Sequence, residues 1–322
     1  MRDDSDMELH LTDGNLTVRE GELATFPAYN DLQRSVVPVF AKVGNRMVGR
    51  GSAVCISPGL FVTARHVVAE RDYDQIPTQW AVPFEHLWVF IETDEALPND
   101  PNGIHGGLMD VLFANPHSEA DLATLTVSMR GGSAEWVRPV RLGLRMPDIG
   151  ERVDCLGYDL ATAEGDLDAD DVELILERNL SISIGRVIEQ QPQRRFNGVH
   201  RTSPGFRTTA ATPSGMSGGP VFDKNNEVIG FNSGSTDPNE NHPEWDSFAS
   251  GVAAALELNF LVPADQDDDQ ADMGIETRAI HFAQLVASGE VACEMHPSFG
   301  VDPETGMAGY VIPPTLSGDQ PT

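Results

Sequence analysis

The chain has 322 residues, 40% of them hydrophobic, and carries a formal net charge of −29. That length and apolar share suit a folded protein with one large core or two smaller ones. The charge argues against a nucleic-acid partner or an anionic membrane surface, since both would repel it. No stretch of eighteen apolar residues occurs, so no spanning helix is expected, and the acidic start Met1-Arg-Asp-Asp-Ser-Asp6 lacks the apolar segment of a secretory signal. Cys55, Cys155 and Cys293 are odd in number and widely spaced, which argues against a disulfide framework or a zinc site and fits a reducing compartment. The expectation is a cytoplasmic protein with no metal and no cofactor. Lysine is confined to Lys42 and Lys224, and the acidic surface reads as solubility rather than as steering of basic substrates.

Residues 1–32 are polar and punctuated by Asp, Gly and Asn, as in a leader or surface arm. From Ser35 the texture changes to short apolar runs rich in Val, Ile and Phe. They cover 36–43, 47–56, 60–63, 87–91, 111–114 and 122–127, and their lengths predict strands. A second series covers 152–157, 180–188, 206–212, 220–222, 228–231 and 248–258. This gives about six strands in each half, and an all-β fold of two six-stranded antiparallel barrels removes exposed edges. The expected divisions are an N-terminal arm at 1–32, a first barrel at 33–130, a second at 131–262, and an acidic linker, helix and tail at 263–322. The spacing of Ile280, Ala283, Gln284 and Ala287 predicts a C-terminal helix over 276–288, ended by Gly289. Three insertions are expected: a loop at 98–107, an acidic segment at 159–179 with a short helix or strand at 172–176, and a polar loop at 236–246.

The chemistry concentrates in Gly215-Met-Ser-Gly-Gly-Pro220. Glycine at this density costs backbone entropy and marks conformations that a side chain forbids. A serine on such a loop suits a nucleophile, with the N–H groups of Gly215 and Ser217 aimed at one point to stabilise an oxyanion. A serine nucleophile needs a base, and the base needs an orienting group. His66 supplies the base best, because it follows an apolar strand and the small pair Thr63-Ala64. The orienting carboxylate is Asp121, which opens the apolar run 122–127, with Asp110 as the second choice.

Thr63-Ala-Arg-His66, Asp121-Leu-Ala-Thr-Leu125 and Gly215-Met-Ser-Gly-Gly-Pro220 together resemble the signature motifs of trypsin-like (chymotrypsin-fold) serine peptidases. The resemblance runs from about Gln33 to Leu258 and is closest to the bacterial, disulfide-free branch, such as the protease domains of high-temperature-requirement proteases and glutamyl endopeptidases. It implies a double β-barrel with the site in the groove between barrels. It also implies peptide-bond hydrolysis through an acyl-enzyme on Ser217, with His66 as base then acid and Asp121 as orienter. The substrate is then a protein or peptide, with limited cleavage of a partner and a regulatory protein as further expectations. A bacterial stress or defence system is the expected setting.

The departures from the family pattern are specific. Arg65 replaces a small residue and is expected to point outward. Met216 stands where digestive members carry an aspartate that pairs with a newly cut N-terminus, so activation by N-terminal cleavage is not expected. About 60 residues follow the expected second barrel, so no PDZ domain is expected there. At the position six before the nucleophile the family sets specificity, and here that is Ala211, with Ser233-Gly234-Ser235 and the segment around Gly251 as pocket walls. No acid lies at the base, so an uncharged, small-to-medium residue before the cut is expected, although Asp237 and Glu240 lie close in sequence.

Three other readings remain. Gly215-x-Ser217-x-Gly219 also fits the nucleophile elbow of an esterase, with His242, His281 or His296 as base, but no helix pattern follows the serine. A non-catalytic binding module on the same fold is the second. The third is a calcium loop over Asp166–Glu177, whose sixth position is Asp171 instead of glycine, so a solvated acidic loop is favoured.

Overall fold

In the computed structural model the residues described are 6–11, 14–26, 31–72, 79–93, 105–129, 133–165, 167, 175–191, 204–237, 245–263, 277–295, 299–301 and 308–310. After an N-terminal hairpin (Asp6–Leu11 and Gly14–Arg19), a short strand β1 (Leu23–Thr25) precedes the first half. That half holds β2 (Val36–Val43), β3 (Arg46–Ser57), β4 (Leu60–Thr63), the single turn α1 (Arg65–Val68), β5 (Leu87–Thr93), β6 (His105–Pro116) and β7 (Ala123–Val127). The second half holds β8 (Arg152–Glu164), β9 (Ile175–Gln191), β10 (Gly205–Thr208), β11 (Pro220–Phe222), β12 (Val228–Thr236) and β13 (Asp246–Gly251). The turn α2 (Val252–Ala255), a hairpin of β14 (Asn259–Pro263) and β15 (Thr277–His281), and α3 (Phe282–Ser288) follow.

Antiparallel pairing in the first half runs β3–β2–β5–β6–β7–β4 and returns to β3, a closed six-stranded barrel. In the second half pairing runs β8–β9–β10–β13–β12–β11, and two residue pairs, Asp154↔Phe222 and Cys155↔Val221, lead back from β11 to β8. The expectation of a mostly β fold with few helices therefore holds.

The strands read as continuous apolar runs because both of their faces are covered. Val37, Val39, Ala53, Cys55, Phe61, Val89 and Leu125 fill the interior of the first barrel. Their neighbours Val36, Val54, Ile56, Val62 and Leu122 instead face a shared core with Leu156, Tyr158, Ile182, Phe231 and Phe260 from the second half. The period of two along each strand thus separates a barrel core from an interface core.

Two expectations change. Residues 277–281 form a strand with β14, and the helix begins at His281, whose ring accepts from the Ala283 N–H while the Gln284 side chain accepts from the His281 N–H. This reciprocal cap fixes the start later than the apolar spacing alone suggests, and Gly289 ends the helix as expected. The N-terminal arm is also partly built into the body, since Val18 and Phe26 are core residues and β1 pairs with β9.

The acidic insertion continues β8 and β9 as a two-stranded arm up to the pair Glu164↔Ile175. Ala161, Ala163 and Leu176 lie against Phe40, Met47 and Phe90 of the first barrel. Residues 172–174 of the expected short element, most of the calcium-loop motif, most of the loops at 98–107 and 236–246, and the linker at 264–276 lie outside the described residues. The arm is held by Arg178, whose Nε–H donates to Glu92 Oε1 at 2.5 Å, with the Gln33 amide on Oε2 at 3.0 Å. Glu92 has no exposed side-chain surface. Removing one partner of a buried pair strands the other, so Arg178→Met is expected to cost about 3 kcal/mol of unfolding free energy. The double change Glu92→Leu, Arg178→Met should recover most of it. Urea unfolding of the three proteins checks this, and equal losses in single and double variants would contradict it.

Candidate active site

Asp121 lies in the bend between β6 and β7, fully buried, and grips His66 twice. Its Oδ1 accepts the His66 backbone N–H at 3.1 Å and its Oδ2 lies 2.8 Å from His66 Nδ1. An ionised carboxylate only accepts, so the imidazole proton sits on Nδ1 and Nε2 becomes the basic edge of the ring. Burial pushes the Asp121 carboxyl up, but the charge and hydrogen bond of His66, with the charge of Arg65, more than reverse this and hold it below the usual carboxylate range. Asp110, the second choice, is exposed on β6 opposite Trp88 and takes no part in this contact.

Arg65 does not point outward. It is 2% exposed, and its guanidinium donates to the carbonyls of His117 (2.9 Å) and Ser118 (3.3 Å). His117 in turn accepts on Nδ1 from the Glu119 and Ala120 N–H groups and meets Glu257 through Nε2 at 3.5 Å. The loop that carries Asp121 is therefore tied by Arg65, which the sequence places in solvent, and by His117, which the sequence does not single out. A buried arginine beside a histidine carries no periodic signal that would have revealed it.

The Thr212–Gly219 loop docks onto this region from the second half. The Ser52 N–H donates to Ser217 O at 2.8 Å, and Ser52 Oγ donates to Gly215 O at 2.9 Å. Gly218 has φ +85°, and a β-carbon there would stand 2.2 Å from Ser52 O and 2.8 Å from Ala64 N, two residues before His66. Gly215 has φ +99° and lies on the carbonyl of Tyr158, where a β-carbon would meet oxygen at 2.4 Å. Both positions demand glycine on two counts, conformation and space. Ser217 is half-buried, while Met216 is fully buried against Gly157. Within the loop, the N–H groups of Met216, Gly218 and Gly219 donate to the carbonyls of Pro213, Asn232 and Met216. Those of Gly215 and Ser217 donate to no acceptor among the described residues.

Of the residues expected to line a specificity pocket, Ala211, Ser233 and Ser235 are each held by short hydrogen bonds in the second half. Ala211 is buried, and its N–H donates to Ser183 Oγ at 2.8 Å. Ser233 is buried with its hydroxyl on Ser250, Gly234 is half-buried, and exposed Ser235 donates to Thr212 O at 2.6 Å. Thr212 and Ser247, which sequence reasoning did not single out as pocket residues, are joined by their hydroxyls at 2.8 Å. Ala211, Thr212, Ser233, Gly234, Ser235 and Ser247 are uncharged, and four of the six carry hydroxyl groups. No cluster of metal-ligating side chains occurs among the described residues. After Ser217 the chain enters strand β11, not a helix, so the esterase elbow does not form.

The β fold thus carries a histidine held by a buried carboxylate and, tied to the same barrel through Ser52, a loop with a glycine-flanked serine. Residues 51–231, more than half of the chain, match the family described as trypsin-like peptidase domain. The chain belongs to that family. A comparison with curated proteins finds no match. Among solved structures the chain is similar to a serine endoprotease from Yersinia pestis at 18% identity and a TM-score of 0.42, over 71% of this chain. It spans 65% of the length of that chain. It is also similar to the Rv3671c protease from M. tuberculosis, active form, at 16% identity and a TM-score of 0.43, over 69% of this chain and 78% of that one.

The electrostatics give a pH test. Because the folded Asp121 carboxyl is more acidic than an unfolded one, its ionised form contributes stability above about pH 4, and this is lost as pH falls through the folded value. Asp121→Asn is expected to be less stable than wild type at neutral pH, with the gap narrowing below about pH 4. Chemical unfolding across that range measures it, and a constant gap would rule the assignment out.

Proposed function

We propose that the chain is a serine endopeptidase in which Ser217 is acylated, His66 moves the proton and Asp121 orients His66. The observation that carries this is the pairing of two restraints at one place: Asp121 holds both the ring and the backbone of His66, and Ser52 holds the backbone of Ser217 one strand away. In this reading Ser217 Oγ attacks the peptide carbonyl and gives its proton to His66 Nε2. The carbonyl oxygen takes the electron pair and is met by the Gly215 and Ser217 N–H groups, which have no protein acceptor among the described residues. His66 then protonates the leaving amine, and water repeats the sequence on the acyl-enzyme.

The uncharged walls around Ala211, Thr212, Ser233, Gly234 and Ser235 support cleavage after small, uncharged residues. The buried, unpaired thiols of Cys55 and Cys155, pushed up by burial, support work in a reducing compartment such as the cytoplasm. Limited cleavage of a protein partner, in a bacterial setting, completes the proposal.

Ser217→Ala should abolish labelling by a fluorophosphonate and lower kcat/KM for a peptide substrate at least ~10³-fold, with the melting temperature unchanged. Folded wild type that takes no label would favour the non-catalytic binding module instead. In a peptide library the cut sites should be enriched in Ala, Ser, Thr and Val before the cleaved bond. Enrichment of Lys, Arg or Glu would contradict the pocket assignment.

A further inference from the structure

The candidate nucleophile loop rests on β9 at its start and on β8 at its middle, and those contacts lead to the N-terminal segment. At its start, the Ala211 N–H donates to Ser183 Oγ at 2.8 Å. At its middle, Gly215 lies on the Tyr158 carbonyl, with the Asp159 carbonyl oxygen 3.4 Å from where a Gly215 β-carbon would be. Asp159 is itself restrained, because Ser181 Oγ donates to its Oδ1 at 3.0 Å. The two supports therefore hang from Ser181 and Ser183, both buried on β9.

Strand β1 adds to β9 at these same residues, in the register Thr25↔Ser181, Ala24↔Ile182 and Leu23↔Ser183. The Gly21 N–H donates to Ile184 O at 2.8 Å and the Phe26 N–H to Leu180 O at 3.0 Å, extending the pairing on both sides. Thr25 Oγ1 lies 2.9 Å from Ser181 Oγ. Since the Ser181 proton is committed to Asp159, Thr25 is the donor in that contact. Glu20 pairs with Arg186 at 3.0 Å, and Val18 and Phe26 anchor the segment in the core. Met216, beside the serine, is buried and uncharged, so no ion pair at that position holds the loop.

We propose that residues 20–26 are a built-in brace for the oxyanion-binding loop, with Ser181 and Asp159 as positioning residues. Strand addition fixes Ser181 and Ser183, these fix Asp159 and Ala211, and the N–H groups of Gly215 and Ser217 keep their aim. The N-terminal segment is thus an activating element of the intact chain, and its displacement switches the site off. The proposal rests on the peptidase reading above.

The test uses full-length variants Ala24→Pro, Asp159→Ala and Asp159→Asn, with kcat expressed per site titrated by fluorophosphonate. A proline at the centre of β1 removes an N–H from the strand and disrupts its pairing with β9. Misaimed oxyanion donors are felt only in the transition state, so Ala24→Pro and Asp159→Ala should lower kcat about tenfold with KM within about twofold. The Ki of a peptide boronate should rise in parallel. Asp159→Asn keeps an oxygen for Ser181 and should retain wild-type kcat. If Ala24→Pro does not fold, Asp159→Ala carries the test. Wild-type kcat per titrated site in Asp159→Ala overturns the brace while leaving the peptidase reading intact. Loss confined to the number of titrated sites, a merely structural effect, also overturns it. An inert wild type overturns both.

Discussion

Ser52 is the point at which the two halves of the molecule are tied together around the candidate site. It is buried on β3, and every polar group it has is used. Its N–H goes to Ser217 O, its hydroxyl donates to Gly215 O and accepts from the Tyr158 N–H at 2.8 Å, and its carbonyl accepts from Thr63 Oγ1 at 2.6 Å. One residue of the first barrel therefore touches the loop that carries Ser217, the strand beneath that loop and the strand leading to His66. Each bond is worth only about 1 kcal/mol net, but leaving any of these buried groups unpaired costs about 1–3 kcal/mol. That asymmetry makes the junction all-or-none: the loop docks in one register, because every other register strands a polar atom.

The interface core works with this polar junction. Val36, Val54, Val62 and Leu122 project from the first barrel toward Leu156, Tyr158, Ile182 and Phe231 of the second half. Apolar packing supplies area without direction, while the Ser52 bonds supply direction with little area. The arm of β8 and β9 adds a third tie, since Arg178 reaches Glu92 and also lies 4.6 Å from the centre of the Phe90 ring. Three separate contacts between the two halves thus oppose sliding of one against the other.

Much of this was legible in the residues, for physical reasons. The strands could be read because an apolar run of four to eight residues has few other uses. Gly215 and Gly218 could be read because glycine is dear to keep where it is not needed, and both sit at positive φ against a backbone oxygen. His66 and Asp121 could be read because each sits where an apolar strand meets a turn. Other features could not. Ser52 looks like any strand serine, since its role depends on carbonyls more than a hundred residues away. Arg65 was assigned to solvent because arginine seldom lies buried, and only the nearby His117 and Ser118 carbonyls explain why it does. Strand β1 is three residues long, too short for a period to register, and its pairing spans about half the chain. The helix start at His281 was set by a cap, which outweighs a continuing apolar pattern.

The Asp121 loop makes the same point about local chain geometry. A carboxylate with no exposure survives as an anion only if its surroundings repay the lost hydration. Here most of the repayment comes from two consecutive residues at the start of α1. His66 offers its N–H and its ring to the carboxylate itself, and Arg65 offers charge while its guanidinium holds the carbonyls of residues 117 and 118. The single turn of α1 thus grips both the acid and the loop that presents it. Because the grip on the acid and the orientation of the imidazole are one contact, the ring cannot turn away without exposing a buried charge to an unpaired site. The energy that keeps Asp121 ionised is the same energy that keeps His66 aimed, which is why so short an element suffices to set the geometry.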